Sequence, residues 1–333
     1  MQTTFNTSIG PATEFLYGNR ANVRLGFGCA SLMRLPSRRR RQALLGEAFE
    51  QGVRHFDVAR MYGLGMTEGE LGRFAKGRRD EIGIATKFGI DPNGAAGRLA
   101  PLQAPARAAI ARCPALRARL KRRSDSLQTP RRYDAAAVRS SLETSLRELK
   151  TDYVDILFIH DPLAVELPDM EGLVEALEGL REAGRIRAWG VSGEPGPSLL
   201  LATGWPQCVP QMHSDIFSFG HLRSEGKVPP IFFGILSRAL AEIQERLLGD
   251  ERMRAIWRGA VGLDCANAQT LATLLLQDAL VRNQTGGVVF ATTQRERIGA
   301  AVAAAKTSRG SDDIRHLRAF RQLVAQTRWE ADA

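Results

Sequence analysis

Four residues with complementary acid–base chemistry fall at, or just after, the ends of strand-like runs: Asp57, Tyr62, Lys87 and His160. A free phenol exchanges protons poorly near neutral pH because its pKa is about 10. A neighbouring ammonium group stabilises the phenolate, so we expect Lys87 to lower the pKa of Tyr62. Together the four side chains form the set needed to deliver a proton to a carbonyl oxygen.

The two remaining members of the set have their own parts in this chemistry. A buried lysine loses its proton unless an anion holds its charge, and Asp57 is placed to be that anion. His160 can donate a hydrogen bond to the carbonyl oxygen and orient it. Each residue alone also fits a structural role, such as a turn brace, a packed ring or a solvated strand end. Their joint occurrence at strand ends favours catalysis.

Strand-like and helix-like runs alternate eight times along the 333 residues. The strand candidates are short and apolar on both faces, as parallel strands buried on both sides are. This alternation predicts a (β/α)8 TIM barrel in one domain spanning residues 1–333, and a doubly wound open sheet is the alternative. The predicted strands are 23–27, 55–58, 82–86, 153–159, 186–191, 208–216, 231–235 and 287–291.

Helix starts are marked by capping residues. Ser37 and Asp134 each precede an amphipathic run, and Thr67 with Glu70 has the spacing of a capping box. An extra C-terminal helix is predicted around residues 314–326. If these elements form a barrel, the strand ends meet at one face, where such folds place their active sites.

A basic segment at 91–132 interrupts the alternation after the third strand. It holds ten Lys or Arg residues and only two acidic ones, a large share of the chain's formal charge of +10. In a barrel this connection lies at the catalytic face, so we expect an insertion that covers the site and weakly favours an anionic substrate. Together with the run Arg38–Arg41 it also raises nucleic-acid binding as an alternative. The segment lacks interleaved aromatic residues for stacking on bases, so we expect no nucleic-acid partner.

Composition narrows the class further. Hydrophobic residues make up 44% of the chain, but no apolar run approaches the roughly 18 residues of a membrane span. The N-terminus lacks the pattern of a signal peptide. The cysteines at 29, 113, 208 and 265 are far apart and have no metal-like spacing. We therefore expect a cytoplasmic protein with free thiols, no metal site and no membrane association.

The motifs around these residues resemble those of the aldo-keto reductase superfamily. They are FDVARMYG at 56–63, followed by Glu68 and ELG at 70–72, then ATK at 85–87 and TDYVDILFIH at 151–160. The resemblance covers roughly residues 20–305. It implies a catalytic tetrad in which Tyr62 is the general acid/base, Lys87 and Asp57 tune it, and His160 orients the substrate.

Reduction of a carbonyl group also needs a hydride, which no side chain supplies, so a cofactor must bind. A dinucleotide fingerprint is absent, because the glycine-rich segment 26–31 lacks its third glycine. The resemblance implies instead that the nicotinamide carboxamide meets Ser192, Gly193 and Gln211. Asn is common at the second of these positions, so Gly193 loses a contact. The resemblance further implies stacking on Phe233 and a pyrophosphate site at Leu236 and Ser237.

The resemblance also bears on the choice between NADP and NAD. Thr292 and Arg297 match a 2′-phosphate loop, but Ala291 and Ala301 replace a lysine and an asparagine found in many members. Arg295 compensates only if it turns inward. We expect NADPH, with NADH possible, and a small-molecule carbonyl substrate. A non-catalytic NADP-binding regulatory protein of the same fold is the alternative, and the sequence leaves the oligomeric state open.

Overall fold

Eight parallel strands close into a barrel in chain order, with β1 paired to both β2 and β8. The computed structural model describes residues 23–92, 130–167, 169–217, 228–306, 311–327 and 329. The predicted TIM barrel is confirmed, and the open-sheet alternative is wrong. The strands are β1 Leu25–Gly28, β2 His55–Asp57, β3 Gly83–Phe88, β4 Val154–His160, β5 Ile186–Gly193, β6 Val209–His213, β7 Ile231–Phe233 and β8 Gly287–Phe290.

The helices surround this barrel. Within the described residues they are α1 Arg38–Glu50, α2 Met66–Ala75, α3 Ala135–Leu149, α4 Met170–Glu182, α5 Pro195–Gly204, α6 Ser237–Gly249, α7 Glu251–Val261, α8 Ala268–Arg282, α9 Arg295–Lys306 and α10 Ser311–Gln326. The extra C-terminal helix is therefore confirmed as α10. The sequence did not predict α7, which begins after Asp250, whose side chain accepts a hydrogen bond from the Met253 amide at 2.9 Å.

Strand register brings the chemistry-bearing residues to one end of the barrel. Asp57 pairs with Ala85 on β3, His160 pairs with Ser192 on β5, and Ser192 pairs with Gln211 on β6. Because all strands are parallel, these positions share the carboxyl end. Neighbouring strand ends therefore place the acid–base residues around one opening.

Two predicted helix caps are confirmed. The Ser37 side chain accepts from the Arg40 amide at 3.3 Å, and the Asp134 side chain accepts from the Ala137 amide at 2.8 Å. Each bond satisfies an amide group that the first turn of a helix leaves unpaired. These two caps fix the starts of α1 and α3.

The predicted capping box at Thr67 and Glu70 is wrong. α2 begins two residues earlier than that box requires, at Met66, after Gly65 in a left-handed conformation with φ 89°. The buried Glu70 carboxylate accepts instead from Arg41 on α1, at 3.3 Å. The Glu70 side chain, which the local pattern assigned to the start of α2, is instead used in an ion pair between two helices.

The basic run on α1 is partly structural. Arg41 is almost fully buried and donates to the Leu35 carbonyl at 2.9 Å, while the more exposed Arg38 lies 3.6 Å from Glu70. The insertion falls where it was predicted, between β3 and α3, but residues 93–129 lie outside the described residues. The absence of a nucleic-acid partner remains a prediction.

Among the described residues the apolar interior forms two large clusters and a smaller one on the barrel strands around Phe158 and Ile231. One packs the helices against the barrel strands. The second joins α6, α7, α8 and α10 around Trp257, Leu271 and Phe320, with Trp329 on its edge. In the parts of the chain that the structure describes, no helix has the length and apolar character to cross a membrane.

Three cysteine thiols are free and buried: Cys29, Cys208 and Cys265. Burial raises the pKa of Cys208 to about 12, which keeps that thiol protonated and unreactive. Cys113 lies outside the described residues. Across those described, no group of three or more His, Cys, Asp or Glu side chains is placed to hold a metal ion.

Candidate active site

A cavity of about 850 Å³ opens at the carboxyl end of the barrel. All twelve residues that the sequence singled out line it: Asp57, Tyr62, Lys87, His160, Ser192, Gly193, Gln211, Phe233, Leu236, Ser237, Thr292 and Arg297. They come from seven of the eight strands or from the loops that follow them. The structure thus gathers the predicted acid–base set and the predicted cofactor set around one space.

A buried ion pair stands at the base of the cavity. The Lys87 ammonium donates to the Asp57 carboxylate and also to the Val58 carbonyl at 3.1 Å. The second carboxylate oxygen of Asp57 accepts from Gln211 Nε2 at 2.7 Å. Because both oxygens are engaged, Asp57 holds the lysine and does not act as a base.

Charge balance keeps Lys87 protonated. Burial alone lowers the pKa of this ammonium group. The negative charge of Asp57, the nearby phenol of Tyr62 and the hydrogen bonds of Lys87 with both residues outweigh burial, so the pKa lies above its usual value. Lys87 is therefore a fixed positive charge at neutral pH, as the sequence analysis expected.

Tyr62 is carried by a sharp turn after β2. Gly63, Leu64 and Gly65 all have positive φ, at 59°, 55° and 89°. A Cβ atom on Gly63 would stand 2.3 Å from Met33 Cγ, so this position accepts only glycine. The turn folds the phenol back over the cavity, five residues after Asp57.

The rings of the acid–base set meet at this point. Lys87 Nζ lies 5.3 Å from the centroid of the Tyr62 ring. The Tyr62 and His160 rings are 6.0 Å apart and nearly perpendicular, at 85°. A carbonyl oxygen placed between the phenol and the imidazole would be within reach of both.

The pKa of Tyr62 moves opposite to the sequence-based prediction. Burial raises it, and the positive charge of Lys87 lowers it by less, so the net pKa lies above the ordinary value for tyrosine. The prediction was wrong because it weighed the lysine and left out the desolvation of the phenolate. The phenol is consequently protonated at neutral pH and ready to donate.

His160 is a neutral imidazole. Burial, assisted by the positive charges of Lys87 and Arg131, lowers its pKa to about 3. Its Nδ1 has no hydrogen-bond partner among the described residues, and its backbone carbonyl accepts from the Tyr133 hydroxyl at 2.7 Å. A neutral ring carries one N–H, which suits it to donate one hydrogen bond into the cavity. No motif in the sequence marked Tyr133 as a residue of the site.

A buried bracket ties the Tyr62 turn to β3. Arg60 Nη1 donates to Glu68 Oε2 at 2.6 Å, and the other oxygen of Glu68 accepts from Thr86 Oγ1 at 2.7 Å. Glu68 is fully buried. Since Thr86 immediately precedes Lys87, the Arg60–Glu68–Thr86 bracket fixes the distance between the phenol and the ammonium group.

The remaining strand ends supply polar and flat surfaces. Ser192, near the end of β5, and Gln211, in the middle of β6, are both buried, and Phe233 is the last residue of β7. Leu236 precedes α6, and Ser237 is its first residue, so the start of that helix lines the cavity. This strip offers hydrogen bonds to an amide, a face for a flat ring and a site for phosphate oxygens.

The far end of the cavity carries Thr292 and Arg297. Thr292 Oγ1 accepts from the Gln294 amide at 3.1 Å, just before α9. Arg295 turns outward and pairs with Glu47 at 2.6 Å, so it does not compensate for the missing lysine at Ala291. Within the described lining, Arg297 and Lys87 are the only cations, and Lys87 is already paired.

Sequence reasoning missed one wall of this end. The start of α8 also lines the cavity, through Asn267, Ala268, Gln269 and Thr273. Asn267 caps α8 by accepting from the Gln269 and Thr270 amides. That cap is a signal the sequence does carry, but only the fold shows that the helix start faces Arg297.

Comparison with known proteins places this chain in a family. The model of the Aldo/keto reductase family matches residues 24–200, more than half of the chain. The matched segment contains the four acid–base residues and, from the cofactor strip, Ser192 and Gly193 at the end of β5. The chain belongs to the aldo/keto reductase family.

Curated relatives are similar over part of their length. The chain is 32% identical over 180 residues to "Aldo-keto reductase yakc [NADP(+)]" of Schizosaccharomyces pombe, covering 53% of this chain and 44% of the relative. It is 30% identical over 195 residues to D-threo-aldose 1-dehydrogenase of a Pseudomonas species, covering 54% and 52%. The chain therefore matches about half the length of these relatives.

Solved structures share the whole fold. The holo form of aldo-keto reductase AKR11C1 from Bacillus halodurans superposes with a TM-score of 0.67 at 21% identity, covering 92% of this chain and 94% of that one. An aldo-keto reductase from Klebsiella pneumoniae in complex with NADPH gives 0.58 at 20% identity, covering 90% of each. At this identity the likeness establishes the fold alone.

Proposed function

We propose that this protein is an NADP(H)-dependent oxidoreductase that reduces an aldehyde or ketone to an alcohol. The observation that carries the proposal is the meeting of a protonated phenol, a fixed ammonium charge and a neutral imidazole at one end of the cavity. Family membership supports the same reaction class. The roles of the individual residues rest on the geometry alone.

The proposed proton transfer follows from the protonation states. The substrate carbonyl oxygen accepts hydrogen bonds from the Tyr62 hydroxyl and from one N–H of His160. A bound nicotinamide supplies the hydride. As negative charge develops on the oxygen, Tyr62 gives up its proton to it, and Lys87 stabilises the phenolate that is left. Asp57 keeps Lys87 charged and in place throughout.

The cavity fits the proposed cofactor along its length. Ser192 and Gln211 offer a hydroxyl and an amide to a carboxamide group, and Phe233 offers a flat face. The start of α6 suits a diphosphate because the positive end of the helix dipole favours negative charge. Arg297 with Thr292 is suited to a 2′-phosphate, which favours NADPH over NADH. One relative named for NADP(+) and one structure holding NADPH support this preference.

We further propose a small-molecule carbonyl substrate. Relatives named D-threo-aldose 1-dehydrogenase and 6-dehydroglucose reductase support a compound of the size of a sugar or smaller. The cytoplasmic location predicted from the sequence stands as part of this proposal, since a reducing compartment agrees with the free thiols.

The decisive experiment replaces one hydroxyl group. Tyr62→Phe keeps the ring and removes the proton donor, so we expect kcat for NADPH-dependent reduction of a simple aldehyde to fall by about 100-fold or more. The Kd of NADPH, measured by quenching of tryptophan fluorescence, should change less than about twofold. A Tyr62→Phe protein as active as the wild type would contradict the proposed mechanism.

The same assay separates the alternative function. A wild-type protein that binds NADPH tightly but reduces no member of a broad carbonyl panel would be a regulatory binding protein. NADH is assayed in parallel, and we expect a lower kcat/KM with it because Arg297 then has no phosphate to bind. Equal values of kcat/KM for NADPH and NADH would show that Arg297 does not bind the cofactor phosphate.

A further inference from the structure

Asp161 is an acidic residue in the cavity wall that the proposed reaction leaves without a role. It directly follows His160 and lines the cavity, with 49% of its side chain exposed. Its backbone is left-handed, with φ 49°, a conformation that Asp and Asn adopt more readily than most other residues. The chain thus turns sharply after His160 and places a carboxylate in the wall of the cavity.

Gly193 makes the room that Asp161 occupies. A Cβ atom on Gly193 would stand 3.2 Å from both Cα and Oδ1 of Asp161. The Asp161 amide donates to the Ser192 carbonyl at 2.5 Å, which holds the two strand ends together. The missing side chain at position 193 therefore leaves the space in which the Asp161 side chain lies.

One oxygen of the carboxylate remains available. Arg131 donates to the Asp161 backbone carbonyl at 2.6 Å and approaches Oδ2 at 3.4 Å. Within the described part of the chain, Oδ1 accepts no hydrogen bond. Arg131 thus binds Asp161 through its backbone carbonyl and Oδ2, and Oδ1 of this cavity-lining residue remains available as an acceptor.

Side chains of opposite charge line two sides of the cavity. Asp161 and Glu194 line it where β4 and β5 end, whereas Arg297 lines it after β8. In a closed eight-stranded barrel these strand ends lie on opposite sides. An anionic group is favoured beside Arg297, and a group that donates hydrogen bonds is favoured beside Asp161.

We propose that Asp161 determines substrate specificity by accepting a hydrogen bond from a hydroxyl group on the carbon next to the substrate carbonyl. This inference rests on the proposed function and refines it. The preferred substrates are α-hydroxy and polyhydroxy carbonyl compounds, and carboxylated ones are disfavoured. The described charges of the cavity thus argue against the anionic substrate that the basic insertion weakly favoured, while most of that insertion lies outside the described residues.

The test compares two aldehydes that differ in their hydroxyl groups, glyceraldehyde and propanal. Asp161→Asn keeps the shape and the left-handed backbone but removes the charge, and Asp161→Gly removes the acceptor without backbone strain. The measured quantity is the ratio of kcat/KM for glyceraldehyde to that for propanal. We expect the ratio to fall about tenfold or more in Asp161→Gly and by an intermediate amount in Asp161→Asn, because a site built to bind a hydroxyl discriminates strongly.

For a second pair of substrates, we expect the preference to change in the opposite direction. The preference for succinic semialdehyde over butanal should rise in both variants, because a repelling charge has been removed. Glu166→Gln is the matched control. Glu166 also approaches Arg131, at 3.4 Å, but does not line the cavity, so both ratios should stay within about twofold of the wild type.

The possible outcomes distinguish a failure of the Asp161 inference from a failure of the proposed function. Wild-type activity on both aldehydes, with the glyceraldehyde ratio unchanged in both Asp161 variants, would overturn the role of Asp161 and leave the proposed function standing. Equal losses on glyceraldehyde and propanal would also overturn it, since that is the mark of a structural role. A wild-type protein that reduces neither aldehyde would overturn the proposed function and this inference together.

Discussion

At the scale of single residues, burial decides the protonation of the site. The sequence identified Tyr62, Lys87 and His160, because residue type and strand-end position are local properties. It did not predict the sign of the pKa shift of Tyr62, because desolvation depends on what the fold places around the phenol. The same burial removes the charge from His160, whose pKa falls to about 3. Both shifts favour hydrogen-bond donors that are neutral.

The His160 shift predicts how stability depends on pH. The pKa of the imidazole is 6.5 when unfolded and about 3 when folded, so between these values the unfolded chain binds more protons. His160 thus contributes stability above pH 6.5 that is lost as the pH falls toward 3, at up to about 1.4 kcal/mol per pH unit. Urea unfolding of the wild type and His160→Asn from pH 7.5 to 4.5 measures the difference in slope.

We expect the free energy of unfolding to fall less steeply with acid in His160→Asn than in the wild type. Other groups contribute equally to both proteins, so the difference reports His160 alone. Parallel slopes for the two proteins would show that the imidazole is not held neutral. The measurement needs no substrate and is independent of the proposed function.

At the scale of elements, the sequence predicted the repeated strands and two helix caps, but it did not predict one helix or an ion pair between distant residues. All eight strands were found from their length and apolar character, and the Ser37 and Asp134 caps from local chemistry. The Thr67 and Glu70 capping box failed because Arg41, distant in sequence, binds Glu70. The order of helices after β7 was incomplete because α7 has the composition of a surface segment, with only Trp257 and Val261 buried.

The Arg60–Glu68–Thr86 bracket connects the Tyr62 turn to β3, and this connection can be tested by mutation. Glu68→Gln removes a buried charge that holds Arg60, and breaking such a pair costs about 3 kcal/mol. Because the bracket holds the Tyr62 turn to β3, we expect kcat to fall while the Kd of NADPH stays within about twofold. Urea unfolding and single-turnover kinetics measure the two effects.

The exposed Glu50 at the end of α1 gives the charge-matched control. Glu50→Gln should change stability by less than about 0.5 kcal/mol and leave kcat unchanged. A Glu68→Gln protein that is destabilised but fully active would show that the bracket supports the fold without positioning the phenol.

At the scale of the whole molecule, α8 connects the cavity to the second apolar cluster. Its first turn lines the cavity, and farther along the buried Asp278 pairs with Arg282 and with Arg321 of α10. Arg282 in turn donates to Ser214 Oγ at 2.6 Å, just after β6. The sequence predicted α10 but treated it as an addition to the barrel. Its ion pair with α8 could not be predicted, because it joins residues 43 positions apart.

These connections predict that the chain unfolds as one cooperative unit, as the single-domain expectation requires. Phe320 on α10 is fully buried, with its ring 6.0 Å from that of Trp257. Phe320→Ala should cost about 3–5 kcal/mol by leaving a cavity, and should shift one shared urea transition to lower concentration. Leu248→Ala, at a side chain that is 62% exposed, is the control and should shift it little. Tryptophan fluorescence follows both parts, through Trp257 and Trp329 in the second cluster and Trp189 on β5, and NADPH binding follows the barrel, so one fluorescence transition should move together with the binding midpoint in Phe320→Ala. Separate midpoints would mean that α10 and its cluster form a unit of their own.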